Sequence, residues 1–236
     1  MLQLIGFDAD DTLWENEHLY QLAEKKFLVL LSHYQEEAFI SRALYDMEMR
    51  NINVYGYGIK SFALSMVETA LLISDNTVTG LEIQQILAFI REMLEAEVQI
   101  IDCVEDILGT LNHSYDLMLI TKGDALEQSR KIDRSGLRPY FKYVEIVHDK
   151  TQAIYEELLE KLEIPPENFV MVGNSLRSDI HPVAALGGQA IYIPHHFTWA
   201  HENDIPGDLK GFRYHQAGEI QEVPDMLRKI DQDLKD

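Results

Sequence analysis

Acidic residues cluster near the start of the chain, in the segment Asp8-Ala9-Asp10-Asp11-Thr12 that directly follows an apolar run. Asp8 and Asp10 are two residues apart, so their side chains point the same way while the chain stays extended. Carboxylates this close repel each other unless a divalent cation or an ammonium group lies nearby, and one of them can then stay protonated as an acid. Carboxylate oxygens suit Mg²⁺, and a carboxylate can also attack phosphorus. The pair is therefore suited to phosphoryl chemistry beside a magnesium ion.

Further polar residues follow later apolar runs of the chain. They are Thr121 and Lys122, then Lys150, then Asn174 with Asp179 five residues further on. A hydroxyl and nearby backbone N–H groups can hold phosphoryl oxygens, and a lysine can offset the charge of a carboxylate and a phosphate together. In open α/β sheets, ligands bind beyond the carboxyl ends of the strands. We therefore expect all these groups to meet at one edge of a sheet.

Five short apolar runs have the length of strands that are buried on both faces of a parallel sheet. They are Leu2–Phe7, Leu117–Ile120, Tyr143–Val147, Phe169–Val172 and Ala190–Ile193. Segments with helical periodicity lie between the later runs, over Ala125–Ser135, Thr151–Leu162 and Asp179–Leu186. Strands that alternate with helices predict right-handed βαβ units and an open α/β sheet.

The stretch between the first two runs is far longer than the roughly dozen residues that a βαβ crossover needs. Its periodicity predicts helices over His18–His33, Gln35–Arg50, Ile59–Ile73 and Thr79–Ala96, and a further helix over Val104–Leu111. A connection of this size indicates a domain of its own. We predict an α/β core domain of residues 1–15 and 102–236, with an all-helical domain of residues 16–101 inserted into it.

Four segments, in order, resemble the signature motifs of the haloacid dehalogenase superfamily. Asp8-Ala9-Asp10-Asp11-Thr12 is similar to the first motif, Asp-x-Asp-x-Thr, and Leu119-Ile120-Thr121 is similar to the second. Lys150, with a tyrosine five residues on, resembles the third, and Gly173-Asn174 with Asp179 resembles the fourth, Gly-Asp-x-x-x-x-Asp. The resemblance covers the whole chain. It implies a Rossmann-like core with an inserted helical cap.

The resemblance also implies a role for each matching residue. Asp8 would be the nucleophile, and Asp10 would be the general acid and base that protonates the leaving oxygen and then activates water. Thr121 would bind the phosphoryl group, and Lys150 would neutralise and orient Asp8. Dehalogenases of the superfamily lack an aspartate at the position of Asp10, so its presence favours phosphoryl transfer. A magnesium-dependent phosphatase that acts on a small phosphorylated metabolite is the function this implies.

The implied magnesium ligands are Asp8, the main-chain carbonyl of Asp10, and the fourth motif with Asn174 and Asp179. Asn174 departs from the family pattern, because the usual residue there is aspartate. An amide oxygen can ligate Mg²⁺ but brings no charge, so we expect metal affinity to be affected more than the reaction. Two alternatives stay open: a phosphomutase with the same aspartate pair, and a non-catalytic protein that binds phosphate or a partner.

Candidate substrate contacts outside the four motifs are weaker signals. The glycine-containing segment around residues 53–60 presents Tyr55, Tyr57 and Lys60 to a substrate, or else is an ordinary turn between helices. Lys122 assists the phosphate or faces solvent. The segment with His195, His196, Trp199 and His201 is expected to form a loop near the rim of the site.

Composition sets limits on the class of protein. Of 236 residues, 46% are apolar and 25% are charged, which is typical of a globular protein. The formal charge of −20 repels nucleic-acid phosphates and anionic lipid, so we expect neither as a partner. A single cysteine, Cys103, excludes an internal disulfide and is expected to be a small core residue. No signal peptide and no membrane-spanning run is apparent, which favours the cytoplasm. The oligomeric state cannot be predicted.

Overall fold

The computed structural model describes residues 1–197, 199–203, 212 and 214–235, which form two compact units. The first unit comprises Met1–Glu17, Val98–Lys122 and Ser129–Asp236, and the second comprises His18–Glu97 and Gly123–Gln128. These units differ at their edges from the predicted division. The first unit includes residues 16, 17 and 98–101, which were predicted to lie in the insertion. The second unit includes residues 123–128, which were predicted to lie in the core. The catalytic and cap roles of the two units stay predictions.

The first unit is built on a six-stranded parallel sheet. The strands of the chain are β1 (Leu4–Phe7), β2 (Trp14–Glu15), β3 (Gln99–Ile100), β4 (Asp116–Lys122), β5 (Tyr143–Val147), β6 (Phe169–Gly173), β7 (Gln189–Tyr192) and β8 (His215–Gln216). The sheet order is β5-β4-β1-β6-β7-β8, and every neighbouring pair is parallel. All five predicted runs are strands of this sheet, so the predicted open α/β fold is confirmed.

Helices account for most of the remaining regular structure. They are α1 (Glu17–Leu31), α2 (Glu37–Tyr55), α3 (Ile59–Ile73), α4 (Gly80–Glu95), α5 (Val104–Leu111), α6 (Ala125–Ser135), α7 (Gln152–Lys161), α8 (His181–Ala185), α9 (Ala200–Asn203) and α10 (Val223–Asp233). Short 3₁₀ turns lie at Arg138–Tyr140, Pro166–Asn168 and Ile220–Glu222, and one π-helical turn covers Leu176–Ile180. None of the helices within the described residues has the length and apolar character needed to cross a membrane.

Both faces of the sheet are buried, which explains why its strands have continuous apolar sequences. Successive side chains of β1 alternate between the faces: Ile5 and Phe7 join one apolar cluster, while Leu4 joins another. The first cluster packs with α5 and α10, and the second packs with α7 and α8. β1 is therefore fixed from both sides, and the residues that follow it leave a rigid part of the molecule.

The second unit has an apolar core of its own, to which α1, α2, α3 and α4 all contribute. Helix α4 begins with a capping box: Thr79 Oγ1 accepts from the N–H of Glu82, and the Glu82 carboxylate accepts from the N–H of Thr79 at 2.7 Å. The four helices predicted for this region are present. Helix α2 extends to Tyr55, so this tyrosine ends a helix instead of lying in the following turn.

Some features of the first unit differ from the predictions. Cys103 is exposed, with a left-handed φ of 68° just before α5, so its expected place in the core is wrong. The helix predicted over Asp179–Leu186 is two elements, since its first two residues end the π-helical turn Leu176–Ile180 and α8 follows. Wide turns of this kind occur often at functional sites. Strands β2, β3 and β8 are only two residues long and carry no periodic signal.

Candidate active site

The predicted catalytic side chains follow the central strands of the sheet. Phe7, the last residue of β1, is in register with Leu119 of β4 and with Val172 of β6. The N–H of Asp8 continues this ladder by donating to the Val172 carbonyl at 2.9 Å. Strand order reverses at β1, because β4 and β5 extend the sheet on one side and β6 to β8 on the other. The crevice at such a point is where open α/β sheets bind ligands.

A buried lysine joins two carboxylates at this crevice. Lys150 Nζ donates to Asp8 Oδ1 and, at 2.7 Å, to Asp179 Oδ1, and side chains of Lys150 and Asp179 are each only 1% exposed. Burial alone would lower the pKa of Lys150, but the Asp179 and Asp8 carboxylates raise it above its ordinary value. Burial raises the pKa of Asp8 to about 7, with Lys150 opposing the rise and Asp179 adding to it. A divalent cation at Asp8 would lower that pKa again.

The fourth motif is folded tightly around Asp179. The N–H of Ser175 donates to Asp179 Oδ2 at 2.9 Å. A Cβ atom on Gly173 would lie 2.3 Å from this same oxygen, so only glycine allows the carboxylate to sit here. Tyr155 of α7 donates its hydroxyl to the Ser178 carbonyl at 3.1 Å, and burial raises its pKa, which keeps it protonated. The third and fourth motifs are thus joined by two separate contacts.

Thr12 links the first motif to the fourth. Its hydroxyl lies 3.1 Å from Asp8 Oδ2 and 3.4 Å from Asn174 Oδ1. An aspartate in place of Asn174 would bring a second charge to this hydroxyl beside Asp8, whereas the amide adds none. The sequence motif included Thr12 but gave it no role. Thr121, the predicted phosphate-binding residue, is buried on β4 one residue beyond the level of Asp8.

Asp10 has partners that the sequence did not reveal. Its carboxylate accepts from Lys131 Nζ at 2.7 and 2.9 Å and from the indole N–H of Trp14 at 2.7 Å, and Lys131 also donates to Asn16. The Ala9 carbonyl accepts from the N–H groups of three following residues, and Asp11 has a left-handed φ of 61°, so the chain turns directly after Asp10. The common direction expected for the Asp8 and Asp10 side chains stays a prediction. Lys131 lies on α6, and no sequence motif around it predicted its contact with Asp10.

Lys122 is held inside the first unit. Its ammonium donates to Ser178 Oγ at 2.9 Å and pairs with Glu202, and its side chain is 16% exposed. Lys122 therefore does not face solvent, and its partner Ser178 belongs to the fourth motif. Its role beside the phosphate stays a prediction. Glu202 is a second residue that sequence reasoning missed, since it follows the His/Trp segment without any motif.

The other predicted substrate contacts, Tyr55, Tyr57 and Lys60, belong to the second unit. Tyr55 is exposed and donates its hydroxyl to Glu68 at 3.3 Å, Tyr57 is half-buried, and Lys60 pairs with Asp124 at 2.8 Å. The N–H of Ile59 donates to Glu127 at 2.9 Å, so the start of α6 is anchored to this segment. The substrate-reading role of the three residues stays a prediction.

The loop after β7 contacts the first motif region. His195 Nε2 lies 3.3 Å from Glu15 Oε2, and its Nδ1 lies 2.7 Å from the Phe197 carbonyl. Potential ligand atoms of Glu15, His195 and His196 lie within 4.8 Å of one another. Thr198 lies outside the described residues, so the loop is described only in part.

Comparison with known proteins gives one family and several relatives. The haloacid dehalogenase-like hydrolase family matches residues 2–187. A glyceraldehyde 3-phosphate phosphatase of Methanothermobacter thermautotrophicus is 27% identical over 216 residues, which cover 87% of this chain and 91% of that protein. An N-acylneuraminate-9-phosphatase of Mus musculus is 22% identical over 242 residues, covering 98% of this chain and 95% of that protein.

Solved structures resemble the fold over nearly the whole chain. A haloacid dehalogenase-like family hydrolase from Xanthomonas campestris is 37% identical with a TM-score of 0.87, covering 98% of this chain and 93% of that one. The HAD-hydrolase YfnB of Bacillus subtilis, whose structure was solved bound to magnesium, is 18% identical with a TM-score of 0.65. It covers 96% of this chain and 99% of that one, and at this identity it shows the fold alone.

We predict that Gly173→Ala destabilises the protein by about 1–3 kcal/mol, because the added methyl group must displace the Asp179 carboxylate from Lys150 and Ser175. Gly109→Ala is the matched control, since its nearest atom would be 3.6 Å away and alanine favours a helix. Urea unfolding of both variants measures the free energy of unfolding. Equal stability of Gly173→Ala and the wild type would contradict the tight packing of Asp179.

Proposed function

This chain belongs to the haloacid dehalogenase-like hydrolases, and we propose that it hydrolyses a small phosphorylated metabolite through an aspartyl phosphate on Asp8. Its expected membership of the superfamily is thereby confirmed, and its phosphatase relatives make it a phosphoric monoester hydrolase. The observation that carries the proposed mechanism is the contact of Asp8 with the buried ammonium of Lys150 at the carboxyl end of β1. A carboxylate so placed has its charge balanced while one oxygen stays directed toward Thr12.

The residues at the strand ends fit a magnesium ion. Asp8 and Asn174 each direct an oxygen toward the Thr12 hydroxyl, so hard donors from two motifs converge there. The Asp10 carboxylate is bound by Lys131, so we assign its main-chain carbonyl to the ion. Both oxygens of Asp179 already accept hydrogen bonds, from Lys150 and Ser175, so we assign Asp179 to the outer shell of the ion, behind these direct ligands. Such an ion, when bound, neutralises charge that develops on the transferred phosphoryl group.

Asp8 performs the first step of the proposed reaction. One of its carboxylate oxygens attacks phosphorus, the bond from phosphorus to the ester oxygen breaks, and an aspartyl phosphate forms. Lys150 offsets the charge of the attacking carboxylate, and Thr121 donates its hydroxyl to a phosphoryl oxygen. Asp10 gives a proton to the departing oxygen, and the alcohol leaves. Water then attacks the same phosphorus, gives its proton to Asp10, and regenerates Asp8 with release of phosphate.

Lys131 and Trp14 position Asp10 for this work in the proposed mechanism. Both oxygens of Asp10 accept from Lys131, and one also accepts from Trp14, so the carboxylate is fixed in one orientation. A charge-assisted contact of this kind suits the ionised form, which is the form that takes a proton from water. Release of one oxygen from Lys131 would accompany protonation before the first step. Lys131 is thus a positioning residue in this proposal.

The substrate class follows from the reaction, whereas the individual substrate does not. Relatives that span most of the chain are phosphatases for two different compounds, glyceraldehyde 3-phosphate and N-acylneuraminate 9-phosphate. We propose that the second unit acts as the cap that selects among such metabolites, with Tyr55, Tyr57 and Lys60 as candidate contacts. A cytoplasmic location and the lack of nucleic-acid and membrane partners stay predictions.

We predict that Asp8→Asn lowers kcat at least about a thousandfold, because an amide is not a nucleophile toward phosphorus. The measurement is Mg²⁺-dependent release of inorganic phosphate from p-nitrophenyl phosphate, which also excludes a strict phosphomutase if it is sustained. Asp102→Asn makes the same chemical change on an exposed residue and should leave the rate unaltered. Undiminished activity of Asp8→Asn would refute the assigned nucleophile. An inactive wild type would favour the non-catalytic alternative.

We predict that Lys131→Met lowers kcat about ten- to a hundredfold, and more with an alkyl phosphate than with p-nitrophenyl phosphate. The alkyl alcohol needs a proton from Asp10 as it leaves, whereas p-nitrophenolate leaves without one. Lys142→Met is the control, because Lys142 forms an exposed ion pair with Asp116 at 2.6 Å. An equal loss with both substrates would show that Lys131 does not act through proton donation by Asp10.

A further inference from the structure

A largely buried carboxylate outside the four motifs contacts the fourth motif and the residue that follows the second motif. Glu202 of α9 is 13% exposed and accepts from three groups of the first unit. Its Oε1 pairs with Lys122 Nζ, and its Oε2 accepts from the hydroxyls of Ser175 and, at 2.7 Å, Ser178. Lys122 adjoins Thr121, and the two serines lie between Asn174 and Asp179. Glu202 therefore bridges the ends of β4 and β6.

The hydrogen bonds of two serine hydroxyls fix which groups donate to Glu202. Ser175 Oγ accepts from the Ser178 N–H at 2.9 Å and donates to Glu202. Ser178 Oγ accepts from Lys122 at 2.9 Å and donates to Glu202. Each hydroxyl thus accepts once and donates once, so the central group must accept from all of its partners. Only an ionised carboxylate does this, because an amide would direct its own N–H groups at one of the donors.

Charge supports the same assignment. Burial would raise the pKa of Glu202, but the Lys122 ammonium and the two serine hydroxyls lower it to about 2. Glu202 is therefore ionised at neutral pH. It also neutralises Lys122 and fixes the position of its ammonium, so this lysine adds no net charge to the site. The pair leaves the charge of the site to Lys150 and the proposed cation.

We propose that Glu202 is a positioning residue that fixes Lys122 and the segment 174–179 relative to Thr121. This inference rests on the proposed function, because these groups are the ones assigned to phosphate and magnesium. It also bears on Asn174. A neutral amide attracts a cation less than an aspartate would, so the ion contributes less to ordering the fourth motif. Glu202 orders the same segment through Ser175 and Ser178 whether or not an ion is bound.

The test compares Glu202→Gln, Lys122→Met and the double variant with the wild type. We expect Glu202→Gln to lower kcat/KM about tenfold or more, to weaken binding of inorganic phosphate similarly, and to raise the Mg²⁺ concentration for half-maximal activity. Because Glu202 acts through Lys122, the double variant should lose no more activity and phosphate affinity than the worse of the two single variants. The effects of the two substitutions should therefore not add. Lys142→Met with Asp116→Asn is the control pair, since it removes an exposed ion pair of the same type.

Several results would overturn the inference. They are a Glu202→Gln enzyme within twofold of wild type in all three measurements, and strictly additive losses in the double variant. Glu202→Gln removes a carboxylate from a largely buried ammonium and can prevent folding, so the charge-balanced double variant then decides. If it folds, by circular dichroism, and matches the wild type in phosphate binding, the inference is wrong. Calorimetric binding of phosphate and Mg²⁺ needs no turnover, so failure of the proposed catalysis remains distinguishable.

Discussion

The ammonium of Lys150 between the carboxylates of Asp8 and Asp179 is the interaction on which the site depends. All three groups are buried, and an unpaired charge in that position would cost several kcal/mol. Two carboxylates against one ammonium leave the cluster with a negative charge, which a divalent cation can offset. The same arrangement leaves Asp8 with an oxygen directed toward Thr12, away from Lys150. One contact therefore orients the nucleophile and offsets part of the negative charge around it.

The sheet fixes the position of Asp8 in this contact. β1 lies between β4 and β6, with apolar clusters on both faces, so Asp8 leaves a fixed strand end. Helix α7 begins just after Lys150 and anchors the fourth motif through Tyr155, while Gly173 leaves room for Asp179. Two residues outside the four motifs add to this support. Lys131 binds the Asp10 carboxylate, and Glu202 bridges the ends of β4 and β6. In the proposed mechanism, Asp8 and Asp10 are thus each held by a lysine.

Local sequence patterns were enough to predict the sheet, most helices and the strand-end positions of Asp8, Thr121, Lys150 and Asn174, because buried strands and amphipathic helices leave periodic signals. Contacts between distant segments leave none. Lys131 lies on an ordinary helix face, and Glu202 follows a segment without a motif, so only the fold reveals their partners. The contact of Asp10 with Lys131 was not predicted, because the two residues are 121 positions apart and residue spacing does not encode it.

The fourth motif has Asn174 where the family usually has aspartate, and the contacts around it explain why this difference is compatible with the fold of the motif. The fourth motif is held by Asp179, Tyr155 and Glu202 without any charge at residue 174, which is consistent with retained chemistry. The central claim is that the phosphoryl group is carried by Asp8. Acid quench during turnover, followed by borohydride reduction and peptide mass spectrometry, measures this directly, because reduction converts an aspartyl phosphate to homoserine. The account predicts homoserine at residue 8; homoserine at residue 10 or 179, or none at all during active turnover, would contradict it.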